Sequence, residues 1–282
     1  MQTTDELLTA TMGNRYVKNV KGFSLVEVLV ALLLTGILTA AMFRVYINQH
    51  HSWMIQDSVI DMQQNARTAI DELTRQIRMA GYNLPNGLNP LQGYNTNPDT
   101  IILFYKTIAC DAPIEHAMPN PSAELRCDGH DVSCFQVNQR AYIYDPTLEQ
   151  GEFFTVTQVQ TSSSHIQHNT TTLSKSYPAG SIIMSIGQVQ YYIDRTDTLH
   201  PNLMVKVDNG APQVYAENII DLQFNYVMKN GTILDVPSIP KDVRKVDIQL
   251  LARTPLRDIK LTATPYRYRE YASNVYLRNI GI

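Results

Sequence analysis

The sequence has little net charge and only one tryptophan. Lys and Arg number 23 against 26 Asp and Glu, so the formal net charge is −3 over 282 residues. This balance does not suit a nucleic-acid coat or a basic membrane-surface domain. Hydrophobic residues make up 44% of the chain and charged residues 17%, a composition that excludes global disorder.

The sequence also lacks the common catalytic motifs. It contains no phosphate-binding loop, no G-x-S-x-G and no H-E-x-x-H. His50 and His51 lie on a predicted helix and the other five histidines lie in polar loops, where we expect solvated side chains. We therefore expect a protein that is not an enzyme and that carries no cofactor and no metal.

Cysteine is scarce, and the three cysteines are clustered. Cys110, Cys127 and Cys134 lie in a segment rich in Asn, Pro and Gly. If the chain leaves the cytoplasm, one disulfide and one odd thiol are expected, and we favour Cys127–Cys134, with Cys110 as the alternative partner for either. A zinc site in "CDGHDVSC" is the other possibility, but C-x6-C fits no common ligand spacing.

A long apolar run begins at Phe23 and ends at Phe43. As a helix it spans about 32 Å, enough to cross the hydrocarbon core of a bilayer. Lys18 and Lys21 precede it, so the amino terminus should stay cytoplasmic and the remainder should be exported. A cleaved secretory signal or a plain anchor would explain the run, but not Glu27, because an acid within a membrane helix costs about 2.5–3.5 kcal/mol.

The segment "GFSLVE", Gly22 to Glu27, followed by this run resembles the class III signal of type IV pilins and type II secretion pseudopilins. The resemblance implies that a prepilin peptidase cuts between Gly22 and Phe23 and that Phe23 is N-methylated. It also implies that Glu27 pairs with the terminal amine of a neighbouring subunit during assembly. We expect a leader of residues 1–22, or of 11 residues if translation starts at Met12, and a transmembrane half-helix at 23–43.

The helix should continue through residues 44–82 as an amphipathic half. Apolar residues recur there in steps of three and four, and Gly81 and Pro85 should end the helix. This apolar stripe contains Ile55, Val59, Met62, Ala66, Ala69, Ile70, Leu73, Ile77 and Ala80. The run "MQQNARTAIDELTRQIRMAGY" resembles the helix end of PilW-type minor pilins, although its arginines could simply form a solvated helix face.

The rest of the chain should be mostly β-structure. We expect an irregular connecting region at 83–133, broken by one strand at Thr100–Tyr105, and a β-rich head at 134–282. Period-two alternation predicts strands in "CFQVNQRAYIYD", "FFTVTQVQ", "SIIMSIGQVQYYID", "LMVKVD", "IIDLQFNYVM" and "VRKVDIQLLAR". We expect a hairpin turn at Lys229–Gly231, and a polar loop or hairpin tip in "QTSSSHIQHNTTT". The expected fold class is α+β and type IV pilin-like, with a long helix packed on an antiparallel sheet.

The resemblance implies a minor pilin of the bacterial inner membrane that later reaches the pilus or cell surface. Its implied partners are the prepilin peptidase, other minor pilins, the major pilin, the inner-membrane assembly platform and the lipid bilayer. A J-type minor pseudopilin of type II secretion is the alternative. In "PYRYREYASNVYLR", Arg267 and Arg269 are interleaved with tyrosines, a composition that can bind nucleic acid, but an edge strand protected by charge is favoured.

Overall fold

A computed structural model describes residues 22–106 and 108–279, so the predicted leader before Gly22 lies outside the described residues. One α-helix, α1, runs from Leu25 to Met79. The chain divides into two compact units, Met1–Met54 and Ile55–Ile282. The second unit is termed the head below.

The head consists largely of short antiparallel strands. They are β1 (Leu91–Tyr94), β2 (Thr100–Tyr105), β3 (Asp111–Pro113), β4 (Leu125–Arg126), β5 (Arg140–Asp145), β6 (Gln150–Thr155), β7 (Gln158–Gln160), β8 (His165–Gln167), β9 (Ile182–Met184), β10 (Gly187–Asp194), β11 (Asn202–Val207), β12 (Gln213–Glu217), β13 (Ile219–Met228), β14 (Ile233–Leu234), β15 (Val243–Arg253) and β16 (Tyr268–Tyr276). A short 3-10 helix at Pro240–Asp242 precedes β15. One long helix followed by antiparallel sheets confirms the predicted α+β, pilin-like fold class.

Four sheets organise these strands. A five-stranded sheet has the order β1-β2-β10-β11-β12, and a four-stranded sheet has the order β14-β13-β15-β16. A second four-stranded sheet, β3-β9-β5-β6, and a three-stranded sheet, β4-β8-β7, are built from residues between β2 and β10. Because Tyr105 at the end of β2 pairs with Gly187 at the start of β10, the chain leaves and re-enters the five-stranded sheet at one place. Residues 108–186 are termed the inserted region.

The first core of the head lies between α1 and the two larger strand sets, β1-β2-β10-β11-β12 and β14-β13-β15-β16. Ala66, Ala69, Leu73 and Ile77 of α1 are fully buried in it, as the steps of three and four predicted. The alternating residues of β13 also confirm their prediction. Leu222, Phe224, Tyr226 and Met228 of that strand are all buried in this core.

The second core belongs to the inserted region. It contains Cys110, Leu125, Phe135 and Ile183, so it draws on residues from both sides of position 133, where the predicted connecting region was to end. The strands around it are two to six residues long, and six of them were not separately predicted or were only partly predicted. Segments this short carry too few alternating residues to produce a clear period-two signal.

The predicted helix end at Gly81 and the predicted hairpin turn at Lys229–Gly231 are both confirmed. Gly81 follows the helix with φ of +83°, a left-handed conformation that glycine adopts without strain. The turn after β13 also forms as predicted, because β13 pairs with β14 and the backbone N–H of Gly231 donates to the Met228 carbonyl. Only residues 161–164 of the predicted polar loop or hairpin tip form the tip, because His165–Gln167 in the same segment form β8 and pair with β7.

Candidate functional site

The predicted cleavage point is open to its surroundings in the structure. Phe23 is 83% exposed, and an added Cβ at Gly22 would meet no atom within 4 Å. Gly22, Phe23 and Ser24 precede the first helical residue, Leu25. The junction between Gly22 and Phe23 is therefore exposed, non-helical chain that an enzyme can reach. A helix around the cleavage site would first have to unwind.

The first turn of α1 is closed by a reciprocal pair of hydrogen bonds. The backbone N–H of Glu27 donates to Ser24 Oγ at 3.2 Å, and the backbone N–H of Ser24 donates to Glu27 Oε2 at 3.4 Å. This arrangement is a capping box, in which two of the unpaired N–H groups at a helix start find acceptors. Glu27 thus has a local structural contact in addition to its predicted role in assembly. Sequence reasoning missed Ser24, although the pattern Ser-x-x-Glu before an apolar run would have identified it.

The apolar segment that follows is exposed on all sides. Among the described residues, α1 contains the one candidate membrane span, and none of its most apolar 18-residue window is buried. Two hydroxyls inside the segment are satisfied within the helix, because Thr35 Oγ1 donates to the Ala31 carbonyl and Thr39 Oγ1 to the Thr35 carbonyl, both at 2.7 Å. Hydroxyls that are paired within a helix suit a lipid environment, because no water is available there to bind them.

The head half of α1 places the three arginines of the PilW-like run on its exposed face. Arg67 and Arg78 are exposed, and Arg75 bonds the carboxylate of Glu72 at 2.5 Å. Glu72 itself is almost buried and also accepts from the hydroxyl of Tyr191 on β10 at 2.9 Å. Burial acts to raise the pKa of Glu72, but hydrogen bonds from its partners outweigh burial and lower it. This carboxylate ties the helix to the five-stranded sheet.

The favoured cysteine pairing was wrong. The structure joins Cys110 to Cys134, with their Cα atoms 5.8 Å apart, and leaves Cys127 as a buried free thiol. Cys127 directly follows β4, and its backbone N–H donates to the Ser164 carbonyl beside β8. This strand pairing holds the Cys127 thiol in the second core, 4.0 Å from the Ala112 carbonyl oxygen, where burial raises its pKa to about 12. The sequence did not predict β4 or its pairing with β8, which places Cys127 away from Cys134 in the disulfide arrangement that forms.

One histidine expected to be solvated is buried. His168 is 2% exposed, packs edge-on against Phe154, and has its two ring nitrogens 2.7 Å from the carbonyl oxygens of Ala123 and Thr171. The expectation failed because the polar residues around His168 belong to turns that fold over the second core. His165, which was also predicted to lie in a loop, is the first residue of β8 and lies between the carboxylates of Glu124, at 3.3 Å, and Asp128, at 2.9 Å.

The two arginines considered for nucleic-acid contact do not form one surface patch of free cations. Arg267 pairs with the carboxylate of Asp258 at 2.7 Å, and Asp258 is itself buried. Arg269 lies on β16 with its guanidinium 5.6 Å from the ring centre of Tyr271. The partner of Arg267 is thus a structural one, and nucleic-acid binding gains no support from this geometry.

Comparison with models of protein families matches residues 17–43 to the prokaryotic N-terminal methylation motif. No curated protein matches the chain. The matched residues contain the Gly22–Phe23 junction, the capped first turn and the whole apolar segment. The chain therefore carries a prepilin-type signal, which supports a type IV pilin-related or pseudopilin protein and fits a membrane-anchored chain with a single span.

Proposed function

We propose that this protein is a minor pilin, a non-catalytic subunit that enters or primes a type IV pilus as part of a complex at the filament tip. One observation carries the proposal. The accessible Gly22–Phe23 junction lies within the matched methylation motif, residues 17–43. It is followed directly by a capped apolar helix, and the same helix continues into the folded head. Such a subunit needs a segment that holds it in the membrane before assembly, a processing site and a folded head. This chain has a candidate for each.

Processing is the first step of the proposed function. The prepilin peptidase cuts after Gly22 on the cytoplasmic side, and Phe23 becomes the N-methylated amino terminus. The helix stays in the bilayer after the cut because the apolar segment lies on the mature side of the junction. Mass spectrometry of the mature amino terminus tests this step directly, since a secretory signal would instead be lost with the apolar run.

The proposed orientation exports the head. Lys18 and Lys21 flank the apolar run on the side that should stay in the cytoplasm. The Cys110–Cys134 disulfide supports this direction, because disulfides persist in oxidising compartments and are rare in the cytoplasm. Export is followed by incorporation together with the other minor pilins, the major pilin and the assembly platform.

Glu27 is the proposed assembly residue. Its side chain lies within the first turns of a membrane helix, where a cation from a partner removes much of the cost of an unpaired acid. The freed amine of another subunit's Phe23 can supply that cation. The capping box complicates a simple substitution, because Glu27→Leu removes both the charge and the contact with Ser24.

Three variants separate these two roles. Glu27→Leu removes the charge and the cap, Glu27→Gln removes the charge but keeps a capping acceptor, and Ser24→Ala weakens the cap but keeps the charge. We expect both Glu27 variants to be processed and membrane-held yet to lose co-purification with the other pilus subunits, whereas Ser24→Ala co-purifies normally. The measurement is a pull-down from detergent extracts, with processing followed on the same gel. Normal partner recovery by Glu27→Gln would contradict an assembly role for the charge.

A minor pseudopilin of the J type is the second candidate, since the matched motif serves both machineries. The two proposals differ in the phenotype of a deletion strain. Loss of surface pili with normal protein secretion supports the pilus subunit, and loss of secretion with normal pili supports the pseudopilin.

A further inference from the structure

The two ends of the loop between β15 and β16 are joined by hydrogen bonds and an ion pair. The backbone N–H of Thr254 donates to the Arg267 carbonyl at 2.8 Å, and the N–H of Arg267 donates back to Thr254 Oγ1 at 3.1 Å. Asp258 is 1% exposed and bonds the guanidinium of Arg267 at 2.7 Å. A loop held this way keeps its shape in solution, so little conformational entropy remains to be lost when its tip meets a partner.

The tip of this loop presents an aliphatic side chain between two cations. Ile259 is 79% exposed, the largest exposed fraction among the apolar residues described in the head. Arg257 and Lys260 flank it, and both are exposed. Arg257 Nε donates to the Tyr266 hydroxyl at 3.2 Å, and the backbone N–H of Lys260 donates to Asp258 Oδ1 at 3.0 Å. Arg257, Ile259 and Lys260 are termed the loop patch.

A surface of the opposite charge lies on the first exposed turns of α1 within the head. Ile60 is 51% exposed and is flanked by exposed Asp57 and Asp61. Neither acid has an ion-pair partner among the residues that the structure describes. Asp57, Ile60 and Asp61 are termed the helix patch. The loop contacts the helix close to this patch in sequence, because the backbone N–H of Leu256 donates to Ser58 Oγ at 3.4 Å.

We propose that the loop patch of one copy of this chain docks on the helix patch of a second copy. Each patch offers one exposed isoleucine between two like charges, and the charges of the two patches are opposite. Docking pairs Arg257 and Lys260 with Asp57 and Asp61 while Ile259 and Ile60 leave water together. Each copy carries both patches, so the same contact can form in either direction between two copies. The inference deepens the proposed role as an assembly subunit by naming a contact between heads.

Cysteine cross-linking between full-length copies in isolated membranes tests the contact. One tagged copy carries Ile60→Cys and a differently tagged copy carries Ile259→Cys, so that a disulfide between the tags can form only between copies. Cys127 does not compete, because it is buried and its thiol has a pKa raised to about 12. We expect a cross-linked heterodimer under mild oxidation with copper phenanthroline. The matched control replaces Ile259→Cys by Ile233→Cys, a residue that is 62% exposed on β14, and should give little product.

Charge exchange in the same pair tests complementarity. Arg257→Glu with Lys260→Glu on the Ile259→Cys copy should lower the cross-linked product by more than about tenfold. Asp57→Lys with Asp61→Lys on the Ile60→Cys copy should restore the product. Reversal of two other exposed cations, Lys229→Glu with Lys241→Glu, is the control and should leave the product unchanged.

Two outcomes would overturn the inference. One is a 60–259 product no greater than the 60–233 control, and the other is a loss on charge reversal that the complementary reversal does not restore. Thermal unfolding of each variant, followed by circular dichroism, shows whether it is folded, and Lys260→Gln is the milder substitute for a variant that is not. The same membranes report cleavage after Gly22 by mass, so a failure of the proposed processing is seen separately from a failure of this contact.

Discussion

Of the three hydrophobic cores of the head, the two larger ones are held together by different means. The first core packs α1 against two sheets with strands of up to eleven residues, and its buried residues include no cysteine. The second core, in the inserted region, has no helix among the described residues and contains strands of two to six residues. It carries the only disulfide that the described part of the chain contains.

The comparison between the first and second cores indicates under which conditions a β-rich core gains stability from a disulfide. A helix with a long, largely apolar stripe buries a continuous surface, and that burial stabilises the sheets packed on it. A small core built from short strands buries less surface per residue and gains more from a cross-link that restricts the unfolded chain. The following predictions test this contrast, from the largest expected effect to the smallest.

Removing the disulfide should affect the second core alone. Cys110→Ala with Cys134→Ala releases a link across a sequence separation of 24, and the free energy of unfolding should fall by about 3.5 kcal/mol on chain-entropy grounds. Amide hydrogen exchange on the full chain in detergent should show lost protection in β5 and β9 and retained protection in β13 and β15. Cys127→Ala, which keeps the disulfide, is the control. Equal loss of protection in β13 would contradict the separation of the two cores.

Truncating the helix stripe should affect the first core. Leu73 is fully buried, so Leu73→Ala should lower the free energy of unfolding by about 3 kcal/mol, through lost transfer energy and a cavity. Thr68→Ala on the exposed face of the same helix should change it by less than about 0.5 kcal/mol. Urea unfolding followed by circular dichroism measures both. Similar values for the two variants would mean that the helix does not stabilise the sheets.

The hydrogen bond between Tyr191 and Glu72 should contribute less, and its contribution should depend on pH. Tyr191→Phe should cost about 2 kcal/mol at neutral pH, because a buried carboxylate loses a donor. The folded-state pKa of Glu72 is lowered from 4.5, so its stabilisation is present above that value and is lost as the pH falls through the folded-state pKa. Urea midpoints of the two proteins should therefore converge in acid. A constant difference from neutral to acid pH would contradict the assignment.

The smallest effect is expected at Asp99, at the entrance to β2. This residue is 3% exposed, and burial raises its pKa, although the backbone N–H of Phe224 donates to it at 2.8 Å. A raised pKa means that its stabilisation is present in acid and is lost as the pH rises through the folded-state pKa. Asp99→Asn keeps the acceptor and should stabilise the head by less than about 1 kcal/mol at neutral pH. The melting temperature should rise at neutral pH and change less in acid, whereas Glu270→Gln at an exposed position of β16 should have no effect.

How much of the fold could be predicted from the sequence depends on the length of each helix or strand. The stripe from Met62 to Ile77 and the alternation in β13 repeat often enough to identify both the element and its buried face. Strands such as β4, with two residues, offer no period to detect. The same limit applies to the site. The apolar span was evident, whereas the cap at Ser24 depends on a single spacing that was overlooked.

The sequence by itself determined where the chain is apolar for the width of a bilayer, where a helix buries one stripe and where long strands alternate. These features are local, because periodicity records which side of an element avoids water. The tertiary structure alone decided that Cys110 pairs with Cys134, that β2 and β10 enclose an inserted region, and that the loop after β15 contacts α1 at Ser58. Those outcomes join residues distant in the chain, and periodicity does not specify which surface meets which.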